Sequence, residues 1–205
     1  MIKIIKDEDL FPHVNEFDLI LVGTNVYCNL SNGFQRDVAL NYPFVREINF
    51  NTKYGDIDKL GSIVLCEDES EKIKFCLLYI CRGFPPRLKK GELIDYLSYE
   101  SLENCLKKIN VLYKGLSIAC PLLGCSRFDG NGSREKVIGI FNQVCTDVDI
   151  TIFDYEQKSR DEKLKEIRVK ELEVKEKDYN AYREMVRKRK EEAEKRYKKN
   201  GFARY

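Results

Sequence analysis

Asp129 lies in the run Phe128-Asp129-Gly130-Asn131-Gly132, a carboxylate among residues small enough to leave room for a substrate. A carboxylate in that setting can orient or deprotonate a water for a hydrolytic attack, provided it is within hydrogen-bond reach. The same Asp-Gly pair is a common turn former, and the residues alone support both readings equally. Two further segments combine glycine with small polar residues. One follows Gly23-Thr24-Asn25 and carries Asn29, Ser31, Asn32 and Gly33; the other follows Pro121-Leu122-Leu123-Gly124 and runs to Ser133. Glycine lets backbone approach an anion, and successive N–H groups can donate to phosphate oxygens without a cationic side chain. Helices starting near Gln35 and Glu135 would add their N-terminal dipoles. Loops of this composition are common, so anion binding is one reading among several.

Cysteine and histidine point elsewhere. Of eight cysteines, Cys66, Cys76, Cys81, Cys105, Cys120 and Cys145 fall within or beside apolar runs, where a thiol behaves as a small hydrophobe. There is no Cys-x-x-Cys pair, and His13 is the single histidine. Buried thiols are therefore expected, with no metal site and no cofactor.

Alternating segment types surround these loops. Phe17 to Gly23 and Leu116 to Leu122 are nearly continuous apolar runs, as in strands buried on both faces of a sheet. Lys3 to Lys6 and Asp149 to Phe153 read as strands. Ser62 to Cys66 and Lys74 to Cys81 read as a hairpin around the acidic turn Glu67 to Glu71. Gln35 to Asn41 reads as a helix stopped by Pro43. Tyr99, Leu102, Leu106 and Ile109 recur at helical spacing after a capping Ser98 or Ser101, and Glu135 to Val144 gives another helix. The sum is an α/β fold of three layers with ligands bound beyond the carboxyl ends of strands.

Length and an apolar content of 43% suffice for one full core. The formal charge of +2 is unevenly spread: residues 158–205 hold 18 Lys and Arg against 11 Asp and Glu, leaving 18 and 23 in residues 1–157. The body is thus about −5 and the tail about +7. From Glu156 to Asn200 glycine and proline are absent, which favours one or two long helices with i, i+4 ion pairs. Their sparse apolar stripe keeps no strict heptad and so gives poor support to a long coiled coil. Docking on the body, self-association and a protein partner all remain open. Eleven acids repel phosphate, so nucleic acid is not an expected partner. Met1 to Lys6 lacks a signal-peptide core and no run approaches the roughly 20 residues of a membrane span. A soluble, cytoplasmic protein is expected, with no membrane contact.

The run Ser31-Asn32-Gly33-Phe34-Gln35-Arg36-Asp37-Val38-Ala39-Leu40-Asn41-Tyr42-Pro43 resembles the first phosphate loop and helix of macro domains of the terminal ADP-ribose glycohydrolase and ADP-ribose-1″-phosphate phosphatase type. Cys120-Pro121-Leu122-Leu123-Gly124-Cys125 resembles the second loop of that group, and Glu8-Asp9-Leu10-Phe11 its Gly-Asp-(Ile/Leu) motif. The resemblance covers residues 1 to about 155, in the family's order of elements. Ser31 and Glu8 stand where the family has glycine.

This resemblance implies a three-layer α/β/α macro domain with a mixed sheet over residues 1–155, and a charged helical extension over 156–205. It implies ADP-ribose or a derivative as ligand. Asp9 would meet the adenine and Asn25 the distal ribose, although Asp9 could instead cap a turn and Asn25 hold its own loop. Asn32, Gly33 and Phe34 would line the pyrophosphate, and Gly124, Cys125, Ser126 and Arg127 would donate backbone N–H groups. Phe128 would sit against the distal ribose or in the core. Asp129 matches a catalytic aspartate, one residue later than the family's spacing. Arg82 occupies the position of a nucleophilic lysine in the glycohydrolase relatives. A guanidinium stays protonated, so a lysine-type covalent intermediate is not expected; Arg82 would instead pair with a terminal phosphate. Hydrolysis of an ADP-ribose derivative, non-catalytic reading of ADP-ribose, and a scaffold acting through the tail follow in that order.

Overall fold

The computed structural model describes residues 1–83, 96–126 and 130–155, together with Glu184, Arg187 and Lys188. The chain divides into two units, Met1–Gln157 and Lys158–Tyr205. In the second, the described residues are helical, and Arg187 Nη2 donates to Glu184 Oε1 at 2.8 Å. The remainder of the predicted helical extension lies outside the described residues.

Six strands form the first unit's sheet: β1 (Ile2–Lys6), β2 (Leu19–Asn25), β3 (Ile63–Cys66), β4 (Lys74–Cys81), β5 (Ser117–Pro121) and β6 (Asp149–Asp154). Their spatial order is β1-β6-β5-β2-β4-β3, with every neighbouring pair parallel except β3 and β4. Among the described residues of the first unit the α-helices are α1 (Gly33–Asn41), α2 (Pro43–Phe50), α3 (Tyr99–Leu112) and α4 (Arg134–Val144).

Strand alternation produces the three layers. Along β2, Leu19 and Leu21 join the core shared with α3 and α4, whereas Ile20 and Val22 join the core shared with α1 and α2. On β4, Cys76, Leu78 and Ile80 face the first set and Phe75 and Leu77 the second. A central strand with helices over both faces has no solvated side, which is why these runs are continuously apolar. Each fully buried Leu, Ile or Phe contributes about 1.5–3 kcal/mol against exposure.

The expected α/β fold with a mixed sheet is found, as are the hairpin and the capped helix after Ser98, whose side chain accepts from the Ser101 N–H. One element departs from expectation. Pro43 ends α1 but also opens α2, because a proline at the first helical position lacks only an N–H that would have no intrahelical partner there. None of the eight cysteines is in a disulfide, and seven are buried. Burial pushes the Cys66, Cys105 and Cys145 thiols up to about 12.

Candidate functional site

Strands β2 and β5 are adjacent and parallel, yet their chains leave in opposite directions. After β2 the chain enters α1, whose Val38 and Ala39 pack in one layer; after β5 it enters α4, whose Val137 and Phe141 pack in the other. Such a divergence opens a crevice at the carboxyl ends of the two strands. A cavity of about 990 Å³, counting its open mouth, lies there. It is bounded by the end of β2 (Val22–Asn25), residues 121–126 after β5, and the first residues of α1 and α4, Gly33 and Arg134. Asp154 and Tyr155, at the end of β6, complete it.

Loop one is shaped mainly by Asn25. Its Oδ1 accepts from the N–H of Tyr27 at 3.0 Å and of Asn29 at 3.4 Å, while Nδ2 donates to the Asn29 carbonyl at 3.0 Å. Cys28, within the turn, has φ 56°. Asn32 caps α1 in extended conformation, and Gly33 follows with φ 51°, a left-handed geometry that favours glycine. The first helical bond runs from the Arg36 N–H to the Asn32 carbonyl, so the amides of Gly33 and Phe34 lie in the first turn, ahead of the intrahelical ladder. Gly33, Phe34 and Gln35 line the cavity. Phe34 is held edge-on to Phe11, ring centroids 6.4 Å apart.

Loop two is pinned on itself. Gly132 N–H donates to the Gly124 carbonyl at 2.9 Å, and the Gly130 and Asn131 N–H groups both donate to the Ser126 carbonyl at 3.0 Å. Gly124 has φ 67°, and a Cβ there would lie 2.6 Å from Leu97 Cδ1; at Gly130 it would lie 2.5 Å from the Gly124 carbonyl oxygen. Glycine is required by contact as well as by backbone angle. Gly124, Cys125 and Ser126 line the cavity.

Thus Asn25, Gly33, Phe34, Gly124, Cys125 and Ser126 meet around one space. Asp9 is not among the lining residues; its Oδ1 accepts from the Phe11 N–H at 3.0 Å at the head of a 3-10 turn, although its neighbour Leu10 does line the cavity. Asn32 stands just behind the lining as the cap of α1. Arg82 is exposed after β4 and is not among the lining residues, although its neighbour Cys81 is. Arg127, Phe128 and Asp129 lie outside the described residues.

Among the lining residues that the sequence reading did not assign to the site are Arg134, Asp154 and Tyr155. Arg134 opens α4 and pairs with Asp154; among the described lining residues these are the one cation and the one carboxylate, and their charges offset each other. The serine cap of α4, Ser133, was the available signal for Arg134. Among the described residues no cluster of His, Cys, Asp and Glu could hold a metal ion, and no helix is long and apolar enough to cross a membrane. Anion binding through backbone amides is therefore what this arrangement can do best.

No protein-family model and no curated protein sequence matches the chain. Solved structures do resemble it. A protein of unknown function from Bacteroides thetaiotaomicron is 16% identical with a TM-score of 0.59, over 75% of this chain and 98% of the other. The macrodomain of Mycobacterium tuberculosis DarG is 17% identical with a TM-score of 0.53, over 75% and 97% respectively. Thermosipho africanus DarTG, solved in complex with ADP-ribose, is 18% identical with a TM-score of 0.54, over 72% of this chain and 41% of that one. With its strand order, its two glycine loops and these likenesses, residues 1–155 have the fold of a macro domain.

Proposed function

We propose that the chain binds ADP-ribose or a close derivative in this cavity and hydrolyses it, as an ADP-ribose-1″-phosphate phosphatase or an ADP-ribosyl ester hydrolase. The observation that carries the binding claim is the convergence of two glycine loops and two helix N-termini on one crevice. The solved complex of Thermosipho africanus DarTG with ADP-ribose supports the choice of ligand. In this reading the first-turn amides of Gly33 and Phe34 and the backbone of Gly124 to Ser126 take opposite sides of the pyrophosphate. Asn32 holds the start of α1, Asp9 serves the adenine end and Asn25 sets the loop beside the distal ribose. Phe128 covers that ribose, and Asp129 activates water for attack at C1″ or at phosphorus. Arg82 takes a terminal phosphate.

A non-catalytic reader is the second reading. It is favoured by arginine at position 82, where the lysine-dependent relatives carry their nucleophile. Incubation with ADP-ribose-1″-phosphate and with ester-linked ADP-ribosyl peptide separates the two. Turnover that falls by about two to four orders of magnitude in Asp129→Ala, with affinity retained, supports the hydrolase; calorimetric binding with every derivative left intact supports the reader.

A further inference from the structure

A second depression shares no lining residue with the cavity. It is walled by loop one from Tyr27 to Ser31, by Arg36 and Leu40 of α1, by Arg46 and Phe50 of α2, and by Tyr54. Counting its mouth it holds about 870 Å³.

Its chemistry departs from that of the body around it. Residues 1–157 carry an excess of acids, yet no carboxylate lines this depression among the described residues. Arg36 and Arg46 are both exposed, and among the described residues neither has a carboxylate partner. Three aromatic rings beside them are left to solvent: Tyr54 at 73%, Phe50 at 55% and Tyr27 at 38% exposure. They are ordered by local contacts. Tyr27 meets Tyr54 edge-on at 5.4 Å, and the Arg46 guanidinium lies 5.3 Å from the centroid of Phe50. Scattered apolar side chains are ordinary on a surface, but rings grouped with unpaired guanidinium groups around one concavity mark a binding surface.

Guanidinium groups hold phosphate through paired N–H donors, and aromatic faces stack on nucleobases whatever their sequence. An acidic peptide would use the arginines and leave the rings idle; an apolar ligand would do the reverse. The geometry points to a second site, in which Arg36 and Arg46 hold the phosphate and Tyr27, Phe50 and Tyr54 take the base of a nucleotide unit, free or part of a single strand. The site stands independently of ADP-ribose binding in the first cavity.

The test uses the full chain, with adenosine and uridine monophosphates followed by calorimetry and a fluorescein-labelled ten-nucleotide strand of mixed sequence followed by anisotropy. Each titration is run without ADP-ribose and with ADP-ribose at the concentration that just fills the first cavity. Binding is expected in both conditions. Tyr54→Ala should weaken it about tenfold, and Arg36→Gln with Arg46→Gln by at least as much. The slope of log affinity against log salt for the strand should shrink by about 0.7 per arginine removed. All three side chains are exposed, and unchanged melting temperatures confirm that the variants fold. A strand that binds more tightly than the monophosphates identifies single-stranded nucleic acid as the source; equal affinity identifies the free nucleotide. The site is overturned if neither probe binds up to about 1 mM, if ADP-ribose displaces the probes over the same concentration range in which it fills the first cavity, or if the arginine variants bind as the parent does. An absence of ADP-ribose binding would count against the first cavity's reading and leave this test intact.

Discussion

Arg134, the first residue of α4, pairs with Asp154, the last residue of β6, and both line the cavity. A cation at a helix N-terminus opposes the helix dipole, and Asp154 offsets that cost while fastening α4 to the sheet. The Asp154 side chain is 12% exposed and that of Arg134 48%. Arg134→Ala would leave the carboxylate nearly buried without its cation. It should lower stability in urea by about 1 kcal/mol, the upper end for a partly solvated pair. Adding Asp154→Asn should restore part of that loss; two independent, additive losses would contradict the pairing.

Gly124 governs the shape of loop two. Alanine there must hold φ 67° and place its Cβ 2.6 Å from Leu97 Cδ1. Gly124→Ala should destabilise the fold by about 1–3 kcal/mol. Leu97→Ala in the same chain would relieve the contact and leave the backbone strain. Denaturation of both variants separates the two contributions, and a neutral Gly124→Ala would remove the case for a left-handed residue in this loop.

Cys125 is the one cysteine that is not buried, and it lines the cavity. Burial also raises the thiols of Cys76 and Cys120 well above their ordinary value, which keeps them protonated near neutrality. A thiol reagent at pH 7.5 should therefore modify Cys125 first, as read by peptide mass mapping. Bound ADP-ribose should slow that modification at least about tenfold. First modification elsewhere, or no protection, would disagree with the placement of loop two.

Much of this fold is legible in the residues because local rules agree with the tertiary result. The apolar runs ending at Gly23 and Leu122 can only be strands covered on both faces, and the turn between Cys66 and Lys74 fixes an antiparallel pair. Parallel partners are different. Nothing local links Ile4 to Ile152, which meet across most of the chain, so the presence of Asp154 and Tyr155 at the cavity could not be read. Pro43 misled because the residue that closes one helix is equally suited to open the next. The glycines of both loops were legible; the hydrogen bonds by which Asp9 caps its turn and Asn25 holds its loop were readable only as one alternative for each residue.

His13 links the turn before β2 to pH. Its Nδ1 lies 2.8 Å from Glu16 Oε1 and its Nε2 2.8 Å from Glu8 Oε1. The hydrogen bond to Glu16 raises the imidazole above its ordinary value, with smaller help from the two carboxylate charges. A pKa raised by folding adds stability that is fully present below the unfolded value near 6.5 and is lost as pH rises through the folded one. The parent should accordingly lose more melting temperature between pH 6 and pH 8 than His13→Gln does, by an amount that shrinks in high salt. Equal pH dependence would show that the imidazole is not held by these acids.

Calorimetric titration of the full chain with ADP-ribose, in parallel with Gly33→Val, tests the binding site most directly. A branched side chain at φ 51° would disturb the open turn of α1 and fill the space for the pyrophosphate. ADP-ribose should show one tight site per chain, and that tight binding should be lost in Gly33→Val while a cooperative thermal transition is retained. An absence of binding to the parent chain, or unchanged affinity in Gly33→Val, would contradict the assignment of this cavity to ADP-ribose.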